Sequence, residues 1–323
     1  MTDDCLLPLE LRQALDAAAV GVSGSDLHAA AARLSVAYRD GPSMSPALND
    51  LAALAYAATR MPATFAATRA VFQELRERCD GLSVETLLDL GAGPATTLWA
   101  ADLEFPQLVR ARLIERDPAM RSMGQRLLEC SSLGDRIEAT WHDGVGAVPS
   151  LDVHDLVVVG YLLTELNEDL QRDVLHTAWQ ACRGAVVVIL PGSTRGFRTM
   201  LKARRELLSL GASVVAPCPH ADRCPLPEDD WCHFGVRLNR SSLHRRLKDG
   251  ALSYEDEKYC YVVATRGEGD PAAGRLIRRP LTGDRRVTLK LCGVDGIREE
   301  MITPSNRVAY RRARKVQWGE AWD

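Results

Sequence analysis

The chain has 323 residues, of which 46% are hydrophobic and 26% are charged, and its formal net charge is −3 at pH 7. These values exclude a disordered tail protein, a fibre and a small disulfide-stapled module, and the length suits roughly two domains. The longest apolar runs, residues 156–163 and 185–190, are shorter than the about 20 residues that a membrane-spanning helix needs. The acidic start lacks the features of a signal or transit peptide, so we expect a cytoplasmic protein with reduced cysteines and no membrane span.

The first 80 residues are predicted to form a helical region of their own. Alanine, leucine and arginine dominate this stretch, and helix-starting residues punctuate it. Pro8 and Pro62 suit the first turn of a helix, and Ser25 or Asp26 suits an N-cap. We therefore expect a helical N-terminal region, 1–80, that covers the domain following it.

Short apolar strands alternate with helices from residue 81 onward. This alternation predicts a parallel sheet with right-handed crossovers, and strands that are apolar throughout indicate a sheet covered on both faces. The predicted strands are 86–90, 108–115, 136–141, 156–160, 185–190 and 259–264.

A glycine turn closes the first of these strands. Asp89 is followed by Gly91 and Gly93, with Thr96 beyond them. The turn lacks the Lys-Ser/Thr ending of a P-loop, and Thr96 breaks the dinucleotide pattern G-x-G-x-x-G. An acidic residue before the glycines and a second one, Glu115, at the end of the next strand suit S-adenosylmethionine, with Glu115 accepting hydrogen bonds from the ribose.

Two further residues complete the predicted cofactor pocket. Asp143 follows the third strand and is a candidate for the adenine edge, and Tyr161 follows the fourth strand and is a candidate for the pocket lining. The segment 160–165 contains neither an Asn/Asp-Pro-Pro-aromatic motif nor a cysteine nucleophile. The sequence therefore predicts a class I S-adenosylmethionine methyltransferase fold, and it leaves catalysis open.

The segment 211–235 is rich in proline and cysteine and is expected to be an ordered loop. Cys218, Cys224 and Cys232 fall within 15 residues of it. Thiolates are soft ligands that favour zinc or iron–sulfur clusters, but the spacings C-x5-C and C-x7-C differ from those of the usual zinc ribbons. A fourth ligand is needed, for which the candidates are Cys260, Cys292, His220 and His233.

These residues together resemble those of a known family. The chain is similar to the methyltransferase-like proteins of the mitochondrial small ribosomal subunit and to their bacterial relatives. The matching pieces span residues 60 to 319 and are Arg60-Met61-Pro62-Ala63-Thr64, the turn 89–97, Cys218-Pro219-His220, Cys224-Pro225, Trp231-Cys232-His233-Phe234, Cys292-x-x-Asp295-Gly296 and Ala313-Arg314-Lys315-x-x-Trp318-Gly319. One departure is Leu190, because relatives tend to carry glutamate at that position.

The resemblance implies several properties. It implies a [4Fe–4S] cluster held by Cys218, Cys224, Cys232 and Cys292, with zinc as the alternative metal. It also implies a role in small-subunit assembly or translation through binding ribosomal RNA, with ribosomal proteins as further partners and a monomer away from the ribosome. The rival function is an active rRNA methyltransferase, and a third interpretation is a redox or iron sensor that releases RNA when the cluster is lost.

The charges of the chain are unevenly distributed. Residues 195–323 contain 25 Lys/Arg and 17 Asp/Glu, whereas residues 1–194 contain 15 Lys/Arg and 26 Asp/Glu. Basic residues crowd the stretch 275–315, which we expect to be a small β-rich module that contacts RNA phosphates. The predicted division is thus a helical region 1–80, a methyltransferase-like domain 81–267 with the metal loop 211–235, and a basic module 268–323.

Overall fold

The computed structural model describes residues 7–40, 48–144, 152–248 and 252–323. The chain begins with helices, as its composition predicts. Asn49 caps the third of them, since its side chain accepts a hydrogen bond from the Ala52 amide at 2.8 Å. No helix in these four ranges is both long and apolar enough to cross a membrane. The first four helices are α1 (Leu9–Ala18), α2 (Gly24–Asp40), α3 (Asp50–Thr59) and α4 (Met61–Arg78).

The central sheet is built from strands that alternate with helices. The strands are β1 (Thr86–Leu90), β2 (Arg110–Ile114), β3 (Glu138–His142), β4 (His154–Gly160), β5 (Cys182–Pro191), β6 (Ser213–Ala216), β7 (Phe234–Asn239) and β8 (Tyr254–Thr265). The helices are α5 (Thr96–Glu104), α6 (Pro118–Glu129), α7 (Leu133–Arg136), α8 (Glu168–Gln180), α9 (Thr194–Ser209) and α10 (Ser242–Leu247). A short 3-10 turn, Leu163–Glu165, follows β4.

The sheet has the strand order β3-β2-β1-β4-β5-β8-β6, and β7 also pairs with β8. Strands β1 to β5 pair in parallel, and β8 is antiparallel to β5, β6 and β7. The run 156–159 is fully buried because both faces of the sheet are covered. The predicted α/β fold with a parallel sheet is confirmed, and the parallel strands end at one edge, where ligands bind in folds of this kind.

The C-terminal residues form a second, smaller sheet. Strand β11 alternates between buried and partly exposed residues, so one of its faces packs on a small core while the other faces outward. Leu276, Leu289 and Leu291 are fully buried in that core. The elements here are β9 (Gly274–Leu276), β10 (Leu281–Gly283), β11 (Arg286–Gly293), β12 (Gly296–Ile302) and the short helix α11 (Arg307–Ala313).

Some strand limits differ from the sequence-based prediction. Arg136 ends α7, so the third strand begins only at Glu138. The expected loop 211–235 contains β6 at its start, and β7 begins within it at Phe234. Strand β8 begins at Tyr254, five residues earlier than predicted. Strands β6 and β7 both pair with β8, and the local sequence carries little signal for pairing between separate segments. The division at residues 80 and 267 stays a prediction.

Candidate functional site: a glycine-turn pocket and a cysteine cavity

The glycine turn lies at the carboxyl end of β1. Gly91 and Gly93 have φ values of +84° and +54°, which favour glycine. A Cβ on Gly91 would lie 3.2 Å from the side chain of Leu162, so a larger residue here would press on that side chain. A Cβ on Gly93 would have no described atom within 4 Å, so the turn opens onto empty space at Gly93.

Asp89 is the last polar side chain before this turn. It is fully buried, and neither carboxylate oxygen has a hydrogen-bond partner that satisfies it among the described residues. Burial raises the pKa of Asp89 to about 7, against the lowering effect of the nearby Thr97 hydroxyl and with a smaller contribution from the Glu115 charge. A buried carboxyl without such a partner is unusual and marks a candidate site.

Glu115 closes the pocket from the end of β2. Its Oε2 accepts a hydrogen bond from the Gly93 amide at 2.9 Å, and its Oε1 accepts one from the Asp117 amide at 2.8 Å. Burial raises the pKa of Glu115, and these two amides oppose that effect. The carboxylate is thus fixed beside the glycine turn, and its remaining lone pairs are available for a ligand hydroxyl.

A pocket of about 110 Å³ joins these residues. Gly91, Gly93, Glu115 and Tyr161 line it. Tyr161 adopts φ +59°, which is rare for a tyrosine, and its hydroxyl lies 3.4 Å from Glu257 Oε1. Glu165 also lines it, and the lining residues that sequence reasoning missed are Leu48, Tyr56, Arg116, Asp117, Met120, Gly144, Gly160 and Leu162.

Two of the six predicted cofactor residues do not line this pocket. Asp89 lies beneath the turn, out of contact with the cavity surface. The side chain of Asp143 is 75% exposed, and its Oδ1 lies 3.3 Å from Arg121 Nη1. Asp143 therefore points to solvent in this structure, while its neighbour Gly144 reaches the pocket.

A second cavity, of about 50 Å³, lies between the Pro-rich loop and β11. The four cysteines that the resemblance implies as ligands all line it, namely Cys218, Cys224, Cys232 and Cys292. His220 and Cys260 line it as well. Burial raises the pKa of the Cys218 thiol, raises that of Cys292 to about 12, and raises that of Cys232 well above its ordinary value. The negative charge of neighbouring thiolates also raises the pKa of Cys292 and of Cys232, which shows that the sulfur atoms are close enough to interact.

Two buried arginines flank the cysteine cavity. Arg204 Nη2 donates to the His220 carbonyl oxygen at 2.6 Å, and its positive charge lowers the pKa of Cys218. Arg275 is only 1% exposed, pairs with Glu74 of α4 and donates to the Pro217 carbonyl oxygen at 3.1 Å. These cations offset the negative charge that thiolates would place in the cavity.

The position of Arg275 contradicts the expectation that the basic residues of 275–315 all contact RNA. Its place in the basic stretch 275–315 suggested contact with RNA phosphates, but its burial leaves it inaccessible to them. Arg278 is also engaged, since it pairs with Asp230 of the cysteine loop. Charge alone could not separate these structural arginines from exposed ones, because their partners lie far away along the chain.

The donor atoms of the cysteine cavity determine which metal it could hold. Within the described residues, no group of three or more His, Cys, Asp or Glu side chains is arranged to hold a single metal ion. Cys292 Sγ lies 3.7 Å from His220 Nε2. Cys260, a candidate for the fourth ligand, is buried in β8 and its thiol donates to the Pro191 carbonyl oxygen at 3.5 Å. The donor set is thus soft and sulfur-rich, and its described members are not arranged around a single ion.

The loop and the C-terminus are also joined by aromatic contacts. Trp231 stacks on His233 with ring centres 5.2 Å apart, and His233 meets Trp318 edge to face at 4.7 Å. Trp231 Nε1 donates to the Gly192 carbonyl oxygen at 3.0 Å. The cysteine loop is therefore packed between the end of β5 and the C-terminal segment.

Comparison with known proteins finds similar structures and identifies the family. A putative RNA methyltransferase from Pyrococcus horikoshii has 13% sequence identity to this chain, with a TM-score of 0.41, and the match covers 63% of this chain and 84% of that one. The mixed α/β architecture with its central parallel sheet agrees with the prediction from the sequence.

Two curated relatives match most of the chain. The human protein named ribosome assembly protein METTL17, mitochondrial, is 27% identical over 286 residues, which cover 83% of this chain and 61% of the human protein. The Rsm22-cox11 tandem protein 2, mitochondrial, of Schizosaccharomyces pombe is 25% identical over 329 aligned positions, which cover 84% of this chain and 43% of the yeast protein. The chain thus spans about half the length of these relatives.

These names correct the expected location. The cytoplasmic location predicted from the sequence is wrong, because the relatives and the family are named mitochondrial and so point to mitochondria. The family model described as mitochondrial small ribosomal subunit Rsm22 matches residues 50–323. Since that range includes the glycine turn, the cysteine loop and the C-terminal sheet, the chain belongs to the Rsm22 family.

Proposed function

We propose that this protein is an assembly factor of the small ribosomal subunit that binds ribosomal RNA on a methyltransferase fold. The observation that carries the proposal is the family match over residues 50–323, together with a human relative named as a ribosome assembly protein. The excess of basic residues after residue 194 supports RNA as the ligand.

The proposal includes a [4Fe–4S] cluster in the cysteine cavity. Cys218, Cys224, Cys232 and Cys292 would hold it, because these four thiols line one cavity and all lack a disulfide partner. A cluster of four irons takes one thiolate per iron, so its ligands stand farther apart than those around a single zinc ion. Four soft sulfur donors around one cavity, with two guanidinium groups beside them to offset thiolate charge, support the cluster, and zinc is the alternative metal.

The cluster would act as a structural link. Three of its ligands lie on the loop after β6 and the fourth lies on β11, so a metal centre would fasten the loop to the C-terminal sheet. Metal binding contributes to folding free energy, since the ligands come together only in the folded chain. The result would be one rigid surface that presents the basic C-terminal residues to RNA.

Anaerobic purification followed by iron, sulfide and zinc analysis tests the cluster. We expect about four irons and four sulfides per chain and the brown colour of an iron–sulfur protein. Cys292→Ser should lose the colour, whereas Cys130→Ser, at an exposed cysteine outside the cavity, should keep it. Bound zinc in place of iron, or full iron content in Cys292→Ser, would contradict the proposed ligand set.

Immunoprecipitation of the tagged full-length chain tests the assembly function directly. We expect small-subunit ribosomal RNA to be enriched over large-subunit RNA, and the enrichment to fall as the wash salt rises. Equal recovery of both RNAs at every salt concentration would rule out a specific role at the small subunit.

The second candidate function is an active S-adenosylmethionine-dependent RNA methyltransferase. It is favoured by the buried Asp89 carboxyl and by the open space in front of Gly93. Gly91, Gly93, Glu115 and Tyr161 would hold the cofactor, which supplies an activated methyl group when bound. Calorimetry with S-adenosylmethionine tests this: we expect heat of binding that Glu115→Ala abolishes and Asp143→Ala, outside the pocket, leaves intact. Absence of heat in the unmodified chain would remove this candidate.

A further inference from the structure

A surface groove runs along one face of the short helix α11. Arg307, Tyr310, Arg311 and Arg314 follow one another at the i, i+3, i+4 and i+7 positions of that helix and its end, so they share a face. Together with Pro304 and Lys315 they line a groove of about 430 Å³, which we call the Tyr310 groove.

The tyrosine of this groove is held firmly in place. Tyr310 is half-buried and packs, with Ala309, against the small core of the C-terminal sheet. The helix beneath it is anchored by Ala313, which is 1% exposed, and is capped by Asn306, whose side chain accepts from the Ala309 amide at 3.1 Å. A fixed aromatic ring that remains partly open to solvent is a suitable platform for stacking.

The cations around the ring have no partners in the described parts of the chain. Arg307, Arg311, Arg314 and Lys315 are exposed, and none of them makes an ion pair or a side-chain hydrogen bond with a described residue. Arg312 on the opposite side is different, because its guanidinium lies 4.6 Å from the Trp322 ring centre. No carboxylate lines the groove, so its positive charge is uncompensated.

We propose that the Tyr310 groove binds an unpaired nucleotide of RNA, with the base stacked on Tyr310 and the neighbouring phosphates paired with the four surrounding cations. This inference rests on the proposed RNA-binding function and names the site and the form of RNA that it takes. The cations extend over roughly 10 Å of helix, which suits a chain of phosphates better than a single anion. A duplex hides the faces of its bases, so the ring selects a single strand.

An acidic peptide would match the cations but would leave the ring unexplained, since carboxylates offer no flat face to stack on it. The combination of one ring and several cations is the arrangement that proteins use for single-stranded nucleic acid. The peptide is therefore an outcome that the experiment must distinguish.

Fluorescence anisotropy of the full-length chain with a labelled uridine oligonucleotide tests the site. We expect Tyr310→Ala to weaken binding about tenfold, as for loss of one base stack, and Tyr310→Phe to bind like the unmodified chain. Arg126→Ala removes an exposed helical arginine elsewhere and should change nothing. Thermal unfolding of each variant shows whether the fold is intact.

The charge of the groove is tested separately. Arg311→Ala and Arg314→Ala should each reduce the slope of log affinity against log salt by about 0.7. If Tyr310→Ala fails to fold, these two variants test whether the groove is the RNA-binding site. A blunt RNA duplex of the same length should bind the unmodified chain more weakly, and polyglutamate should not displace the oligonucleotide at matched charge.

The outcomes separate the two levels of the proposal. If the unmodified chain binds the oligonucleotide while the groove variants bind it equally well, RNA binding stands and the groove is not its site. Displacement by polyglutamate, with Tyr310→Ala behaving normally, would overturn the inference in favour of an acidic peptide. If the unmodified chain does not bind RNA at all, both the groove and the proposed RNA-binding function are refuted.

Discussion

Asp89 is a single buried carboxyl whose protonation links the glycine turn to stability. Burial raises its pKa to about 7 in the folded chain, from an ordinary value of 3.8. Between these two pH values the folded chain keeps a proton on Asp89 that the unfolded chain has lost. The stabilisation from this proton is complete below about pH 4 and is lost as the pH rises through 7. We expect Asp89→Asn to be more stable than the unmodified chain at pH 8, by at most about 4 kcal/mol, and the difference to shrink at pH 5.

Denaturant unfolding at the two pH values measures this difference. Asp143→Asn is the matched control, because that carboxylate is largely exposed and its removal should leave the pH dependence unchanged. If Asp89→Asn is less stable than the unmodified chain by the same amount at both pH values, the ionised carboxylate of Asp89 has hydrogen-bond partners in the folded chain.

Gly91 and Gly93 are neighbours in the turn but have different physical roles. Both have positive φ, and Ala95 shows that this turn accepts an alanine at φ +66°. Gly93→Ala should therefore lower the free energy of unfolding by only about 1 kcal/mol, whereas Gly91→Ala should lower it further, because its Cβ would press on Leu162. Gly93→Ala should nevertheless fill the space where a cofactor would lie, so calorimetry should record weaker S-adenosylmethionine binding.

Two observations would contradict this assignment. Equal destabilisation by the two alanine substitutions would mean that the contact of Gly91 with Leu162 is easily relieved. Unchanged cofactor affinity in Gly93→Ala would mean that the space in front of Gly93 plays no part in binding.

At the scale of elements, Arg275 joins three parts of the chain. It lies on β9, pairs with Glu74 of α4, and donates hydrogen bonds to the carbonyl oxygens of Pro217 and Gly319. Arg275→Ala would leave the buried Glu74 with Arg78 as its ion-pair partner, so we expect a loss of roughly 3 kcal/mol in unfolding free energy. Arg278→Ala, which breaks the more exposed pair with Asp230, should lose less than about 1 kcal/mol.

Chemical denaturation of both variants checks this, and a double variant sharpens it. Arg275→Met combined with Glu74→Leu removes both charges, and it should recover much of the stability lost in Arg275→Ala. If the double variant is no more stable than the single one, the main contribution of Arg275 is its hydrogen bonds to the two carbonyl oxygens.

The elements differ in how far the sequence could predict them. Strands β4 and β5 were predicted closely because continuous valine-rich runs have few alternatives to a buried parallel strand. Strand β6 was missed because it lies within a stretch whose proline and cysteine content resembles a loop, and its order comes from pairing with β8. Helix α11 was also missed, since seven residues rich in arginine carry only a weak apolar period.

The same contrast holds for the candidate sites. The glycines, Glu115 and three of the cysteines follow from local motifs, whereas Cys292 was implied only by the family resemblance, and all of them lie beside their cavities. Tyr56 and Arg204 could not be found this way, because each enters its cavity from a helix distant in sequence with no motif around it. Asp143 shows the opposite error, since its position after β3 is right but its side chain turns to solvent.

At the scale of the whole molecule, the excess of basic residues and the cysteine cavity lie in the same half of the chain. The net charge is about −11 before residue 195 and +8 after it, and the cysteine cavity lies within the basic half. Non-specific repulsion from the acidic half would favour contact with RNA through the C-terminal sheet and its helix. The metal centre would thus stabilise the part of the protein that carries the RNA-binding surface.

Removal of the proposed cluster should therefore act unevenly over the molecule. Without metal, the loop loses its link to β11 and is held by weaker contacts, among them those of Arg204 and Arg275 and the stacking of Trp231. We expect limited proteolysis of the metal-free chain to cut first within residues 218–232 and then in the C-terminal sheet, with β1 to β5 staying protected. RNA affinity should fall in parallel, whereas any S-adenosylmethionine binding should persist, because the glycine-turn pocket shares no lining residue with the cysteine cavity. Simultaneous loss of protection throughout the chain would show that the metal centre supports the whole fold rather than the link between the loop and β11.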